Sequence, residues 1–368
     1  MDEIVNLGEI ASQICFEGLV VSVVPYGNGH INDTFCLTTR LENGLNRRYI
    51  LQKMNKSIFT KPEELMENIM GVTSWIRKKV IEAGGNPDRE TLNVILTKDG
   101  KSYYLDSKGD YWRSYLFIED ATCYEKVDHP EDFYNSAVSF GNFQRLLADY
   151  PAETLHETIV NFHNTIDRME KFKAAVREDM YGKAGEVKRE IRFVLEREMD
   201  THIICDALSD KQIPLRVTHN DTKLNNIMMD NKTGKGICVI DLDTVMPGST
   251  LYDYGDSIRF GASSAAEDEA DLSKVYCDMD LFKAYTKGFI EGCGGSLTRQ
   301  EILLMPIGAK LMTLECGIRF LTDYLRGDVY FKIHREGQNL ARARTQLKLV
   351  SDMEEKWDEM METVKEYL

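Results

Sequence analysis

The apolar positions change their period about a third of the way along the chain. Before Asp120 they alternate or run in short β-branched blocks, and after it they recur at helical spacing. "LVVSVVPYGNGHINDTFCLTT" is a β-branched run, a Gly/Asn turn and an alternating run, the pattern of a hairpin. "RRYILQKM" predicts a third strand, and "LNVILT", "SYYLD" and "YWRSYLFIE" predict three more short ones. Between them, "KPEELMENIMGVTSWIRKKVIEAGG" has Pro62 near its start and a Gly pair at its end, the punctuation of a helix.

Further on, Phe133, Ala137, Phe140 and Gln144 fall on one helical face, and Ile159, Phe162, Ile166 and Met169 predict a second helix over 156–176. "EVKREIRFVLEREMDTHIICDAL" predicts one long helix. "DLFKAYTKGFIEGC", "ILLMPIGAKLMTLECGIRFLTDYL" and the charged "SDMEEKWDEMMETVKEYL" predict the last three. One block breaks this run: "NIMMDNKTGKGICVI" has two apolar segments around a Gly-containing turn, which reads as a hairpin set among helices. The pattern therefore predicts an α+β chain, with a β-rich lobe over 1–118, a hinge near 116–121 and a larger, mainly helical lobe over 119–368.

Composition narrows the partners. The net charge of −15 disfavours a nucleic-acid or anionic-membrane binder, because both need a basic face, so neither partner is expected. The cysteines are scattered through apolar stretches with no C-x-x-C pair, the usage of reduced thiols in a cytoplasmic protein. "MDEIVNLGEIASQI" is acidic and amphipathic, unlike a signal peptide, and no apolar run approaches membrane-spanning length. Nothing in the pattern demands more than a monomer.

The chemistry concentrates in "VTHNDTKLNNIMMD" and "ICVIDLDTVMPGS". Phosphoryl transfer needs a carboxylate to accept the hydroxyl proton, oxygen ligands for Mg²⁺ and cations near the phosphates. His219-x-Asp221-x-x-x-x-Asn226 has the spacing of a kinase catalytic loop, with Asp221 as base and Asn226 as metal ligand. Lys223 is placed to neutralise phosphoryl oxygens, and His219 reads as a packed orienter of the loop. Asp241 follows the second strand of the hairpin and supplies a hard oxygen, so the hairpin would bring Asn226 and Asp241 to one metal. Asp-x-x-x-x-Asn alone also suits a helix cap or an Asx turn, and the combination with the hairpin carries the catalytic reading. Asp243 reads as a second metal contact or a solvated strand-end carboxylate. Asp256, in "YDYGDSIRF", reads as a helix cap or a brace beneath the loop.

These residues resemble the aminoglycoside phosphotransferase/choline kinase superfamily, which implies a protein-kinase-like bilobal fold with ATP and Mg²⁺ as cofactors. Longer strings, among them "PYGNGHIND", "RYILQKMN", "VIDLDTVMPGSTLYDYGDSIRFGAS", "LECGIRFLTDYLRGDVYF" and "NLARARTQLKL", resemble the N-acetylhexosamine 1-kinases within it. That resemblance implies phosphorylation of the anomeric hydroxyl of GlcNAc or GalNAc. An aminoglycoside, choline or homoserine acceptor is the alternative. The N-acetylhexosamine 1-kinase resemblance assigns His30, Arg319 and Tyr330 to the sugar pocket, although Arg319 also reads as part of a surface ion-pair ladder with Glu315 and Asp323. On the nucleotide side, Gly27 and Gly29 mark a phosphate-covering loop that lacks a third glycine. Gln52 and Lys53 compete for the phosphate-facing position of the third strand, since neighbours on a strand point to opposite faces. A glutamine there leaves Glu67 without the lysine partner that the fold usually supplies. Adenine is expected against the backbone of Phe117–Glu119.

Overall fold

The computed structural model describes residues 2–27, 31–124 and 129–368. The chain divides into two compact units, Met1–Thr122 with Glu153–Ile159 and Met228–Met246, and Cys123–Ala152 with Val160–Ile227 and Pro247–Leu368. Among the described residues no helix is long and apolar enough to cross a membrane. All eight cysteines are free thiols.

The first unit is built on an antiparallel sheet of β1 (Leu19–Pro25), β2 (Asp33–Arg40), β3 (Asn46–Lys53), β4 (Tyr104–Leu105) and β5 (Tyr111–Leu116), in the order β1-β2-β3-β5-β4. Alternation along each strand gives the sheet two different faces. Leu37, Tyr49, Leu51 and Trp112 point to one side, where Ile10, Ala11 and Ile14 of the N-terminal segment close a core over them. On the other side Thr34, Gln52 and Arg113 stand in a row, because Thr34 pairs with Gln52 and Gln52 with Arg113. The expected strand "LNVILT" reduces to single bridges, Val94 to Tyr115 and Thr97 to Ile14. The helix Pro62–Glu82 starts on its proline as anticipated, with Glu63 and Glu64 in the first turn. The expected hairpin forms from the strands Ile227–Asp230 and Gly236–Val239. Asp230 closes its turn by accepting from the backbone N–H groups of Lys232 and Thr233. Those bonds and Arg89 hold its carboxyl down to about 2.

The second unit is helical. Its main helices are Pro130–Leu146, Thr165–Glu178, Thr250–Gly261, Met279–Cys293, Arg299–Leu325 and Gln338–Glu355. One core joins Met169 and Phe172 to Leu314, Ile318 and Leu321 and to Leu347 and Val350. Two expected helices are shorter than their periodicity suggested. The helix anticipated over 156–176 begins at Thr165, because the Asn164 side chain accepts from the N–H of Asp167 as an N-cap and Asn161 has a left-handed φ of 57°. The long helix over 186–208 splits into Lys188–Leu195, a 3₁₀ turn Glu198–His202 and Ile203–Ser209, and the Thr165 hydroxyl donates to the Thr201 carbonyl inside that turn. The terminal helix likewise breaks at Lys356 and resumes as Trp357–Lys365.

One close approach sets the position of the helix Thr250–Gly261. A Cβ on Gly255 would lie 2.2 Å from the carbonyl oxygen of Gly308, and one on Gly308 would lie 2.8 Å from that of Leu251. Backbone therefore rests on backbone where helices 250–261 and 299–325 cross. Gly255→Ala should force the two helices apart and destabilise the protein by about 1–3 kcal/mol. Thermal unfolding checks this, and an unchanged Tm would show that the crossing has slack.

Candidate active site

The loop that carries Asp221 is organised by a carboxylate 32 residues further on. After the fully buried strand Arg216–Thr218 the chain turns through Asn220, which has a left-handed φ of 65°. Asp253, buried in helix 250–261, accepts from the backbone N–H of His219 at 2.9 Å and of Asn220 at 2.8 Å. Gln144 adds a third bond to Asp253 at 2.8 Å while also donating to the Val217 carbonyl. The Thr222 hydroxyl donates to the Asp253 carbonyl, and the Ser257 hydroxyl to that of Thr222, so both sides of the loop are tied to one helix. Burial pushes the Asp253 carboxyl up, against the opposing pull of His219 and of the two backbone N–H groups. Helix 250–261 is capped by Ser249, so Asp256 lies inside it and is not a cap. Asp256 pairs with Arg259 at 2.8 Å; the brace beneath the loop is Asp253.

His219 is fully buried with the edges of Phe140 and Phe143 against its ring. Its Nδ1 accepts the Asp221 N–H at 3.3 Å, which is the geometry of an orienting residue. Beyond it the structure brings Asp221, Lys223 and Asn226 together. Lys223 Nζ lies 2.6 Å from Asp221 Oδ1, and Asn226 Nδ2 donates to Asp221 Oδ2 at 3.1 Å and to its carbonyl at 2.8 Å. Burial opposes the charge on Lys223, yet the adjacent Asp221 carboxylate leaves its pKa raised. Because the Asn226 amide nitrogen is turned to Asp221, its carbonyl oxygen is the atom left to coordinate a cation.

Asp241 heads a tight turn in the first unit and Asp243 lies within it, and the turn sends them to different surroundings. Asp241 is exposed and left-handed, with φ of 59°, at the head of the 3₁₀ turn Leu242–Thr244. Asp243 is 5% exposed. Its Oδ1 lies 2.5 Å from Arg113 Nη1 and its Oδ2 accepts from Asn32 Nδ2 at 2.7 Å. At that exposure Asp243 is not a solvated strand-end carboxylate. Arg113 in turn donates to Gln52 Oε1 at 3.0 Å, and Gln52 Nε2 donates to Thr34 Oγ1 at 3.0 Å. Lys53 points the other way, to Asp110 at 3.4 Å and Asp33 at 3.7 Å. Glu67 finds His156 at 2.6 Å instead of a lysine. Sequence reasoning missed Arg113, although a cation at an alternate position of the buried strand "YWRSYL" was the available signal.

Gly27 has φ of 76° with no atom within 4 Å of a would-be Cβ, while Gly29 and His30 lie outside the described residues. Phe117 follows β5, with the Arg48 guanidinium 3.9 Å from its ring centroid, and Glu119 pairs with the same arginine. The Glu119 carbonyl accepts from Arg89 at 3.0 Å.

In the second unit Arg319 and Tyr330 line a cavity of about 230 Å³ together with Arg168, Lys171, Asp323 and Arg326. Arg319 keeps the Glu315 rung of the expected ladder, at 3.7 Å, but largely buried and not at the surface. Its guanidinium sits between the rings of Phe162 and Phe331, 5.5 and 5.4 Å from their centroids. Asp323 instead accepts the backbone N–H groups of Val329, Tyr330 and Phe331, together with the Asn339 amide. Glu315 is buried among His163 at 3.0 Å, Arg319 at 3.7 Å and Arg168 at 3.9 Å. Burial pushes its carboxyl up, but His163 and the two arginines outweigh it and the net pKa is lowered. Burial and the neighbouring Arg319 lower that of Arg168.

A depressed folded pKa means that the Glu315 cluster stabilises the fold above the ordinary glutamate value and loses that contribution as pH falls through the lowered one. Glu315→Gln should therefore be less stable than the parent at neutral pH by about 3–5 kcal/mol, since it strands buried cations. The gap should narrow as pH drops below about 4. Urea unfolding at pH 7 and pH 3.5 measures both, and a gap that widens in acid would contradict the assignment.

A family model described as "Phosphotransferase enzyme family" matches residues 22–285. The chain is also similar to several solved structures. An aminoglycoside phosphotransferase from Alicyclobacillus acidocaldarius matches at a TM-score of 0.63 and 11% identity, over 98% of this chain and 96% of that one. A microcompartment-associated aminopropanol kinase matches at 0.60 and 12%, over 97% and 98%. The amicoumacin kinase hAmiN, in complex with AMP-PNP and Ca²⁺, matches at 0.57 and 14%, over 95% and 93%. At these identities the likeness shows a shared fold, a small antiparallel sheet followed by a larger helical part.

Proposed function

The chain belongs to the phosphotransferase enzyme family, and from that premise we propose that it transfers the γ-phosphoryl group of ATP to the anomeric hydroxyl of an N-acetylhexosamine. The observation that carries the transfer is the Asp221 carboxylate, held between Lys223 and Asn226 in a loop pinned by Asp253. Asp221 orients the acceptor hydroxyl and takes its proton as the O–P bond forms. An anomeric hydroxyl is more acidic than an ordinary alcohol, so a carboxylate suffices as base, and most of the acceleration comes from positioning and charge. Lys223 keeps a cation beside the reacting oxygens. The adenine lies along the backbone of Phe117–Glu119, and Gly27 leaves room for the phosphates at the end of β1.

Asn226 and Asp241 each offer an oxygen of the kind that Mg²⁺ takes. One amide oxygen and one exposed carboxylate suit an ion that shares its remaining positions with phosphates and water. Bound there, the ion supplies neutralisation of the phosphate charge. The AMP-PNP and Ca²⁺ in the hAmiN complex support a nucleotide–metal donor.

The cavity at Arg319 and Tyr330 supports the acceptor. Arg168, Lys171, Arg319 and Arg326 line it against one carboxylate, Asp323, which is already committed to backbone N–H groups. Such a lining favours the hydroxyl and carbonyl oxygens of an acylated sugar over the ammonium groups of choline or an aminoglycoside, whose charge it repels. A phosphorylation panel of N-acetylhexosamines, hexoses and amines tests this, with NMR locating the phosphate. GlcNAc or GalNAc should be phosphorylated at O1, and activity on an amine with none on either sugar would sink the acceptor assignment. Asp221→Asn should lower kcat by about 10³-fold or more while ADP affinity stays within a few-fold. Near-normal turnover in that variant would remove Asp221 from its role.

A further inference from the structure

The turn that carries Asp241 is strained and has to be held in place. A left-handed φ of 59° on a residue with a Cβ costs on the order of 1 kcal/mol and persists only where neighbouring contacts over-determine it. Those contacts are visible on the sheet side. Two residues on, Asp243 is clamped from both ends, by Arg113 at 2.5 Å and by Asn32 at 2.7 Å. Asn32 is itself fixed, because its Oδ1 accepts the Asn55 N–H at 3.0 Å. On the far side of the turn the Val245 carbonyl accepts from Asn68 at 3.0 Å.

Arg113 is the cation in this arrangement. It is 2% exposed, its Nε is directed by Gln52, and Gln52 is directed by Thr34, so three adjacent strands fix the guanidinium in one orientation. Arginine keeps its charge when buried, and its planar fork imposes direction where an ammonium would act as a point charge. Two charges this deeply buried gain little net stability from their pairing, so a pair built from strand register serves to fix a geometry. Meanwhile the strand-three position that could carry a lysine holds Gln52, and Lys53 is turned to Asp33 and Asp110.

We propose that Arg113 is a positioning residue for Asp241: paired with Asp243, it fixes the turn that aims the Asp241 carboxylate. The proposal rests on the reading of Asp241 as a metal ligand. Arg113 is too buried to touch a phosphate, so it acts through Asp243 and the turn. Gln52 belongs to the same device as the residue that directs Arg113.

The readout is the Mg²⁺ coupling of nucleotide binding, taken as the ratio of ADP affinity in Mg²⁺ to that in EDTA, by calorimetry on the full chain. Arg113→Gln should cut this ratio by about tenfold or more, the usual scale for removing an outer-shell partner, and leave metal-free ADP binding within twofold. Arg113→Lys keeps the buried charge but loses the fork, and it should lose about threefold, halfway on a logarithmic scale. It supplies the same measurement should the glutamine variant not fold. A merely structural arginine would lower Tm in both variants and leave the ratio unchanged, and that result in either folded variant overturns the proposal. Asp241→Asn separates the two levels. If it leaves the coupling intact, the metal-ligand reading fails and the proposal with it. If it abolishes the coupling while the Arg113 variants retain it, the proposal alone fails.

Discussion

The loop that carries Asp221 depends on a buried carboxylate from another element, Asp253 of helix 250–261. Asp253 takes the N–H groups of two consecutive loop residues, His219 and Asn220, and adds the Gln144 amide, so one buried side chain meets three donors. Leaving those donors unmatched would cost about 1–3 kcal/mol each, which makes the loop's conformation the cheapest way to bury them. The left-handed Asn220, the buried His219 and the placement of Asp221 beside Lys223 follow from that constraint. It holds only because helix 250–261 lies where it does, and the glycine contact between Gly255 and Gly308 sets that distance.

What could be read from the chain depended on how far apart the cooperating residues stand. Asp221, Lys223 and Asn226 fall within six residues, so their spacing was visible, as was the hairpin with its Gly-containing turn. Asp253 was hidden because it acts on a loop more than thirty residues earlier, and the more conspicuous Asp256 drew the expectation of a brace. The Ser249 cap followed by an acidic first turn was a usable signal for where the helix begins. Arg113 escaped because strand register, which places it beside Gln52, is not written in either segment alone. The helix expected over 156–176 ran too long because periodicity continued across Asn161 and Asn164, where left-handed backbone and capping stop a helix whatever its apolar spacing.

Net charge proved a poor guide to local field. The chain carries fifteen more acidic than basic residues, yet four of the five charged side chains that line the cavity at Arg319 are basic. Glu315 meets two arginines and a histidine and compensates them only in part. A surface total averages over patches that a ligand of a few ångströms never samples.

Asp323 has a consequence for how tightly that cavity can hold anything. By gathering the N–H groups of three successive residues, 329–331, it occupies with a fixed side chain the kind of backbone concavity that elsewhere captures a loose anion. The segment bearing Tyr330 is thereby ordered before any ligand arrives. Its conformational entropy is already spent in folding, so a guest meets a finished wall and little of its contact energy goes into freezing a loop.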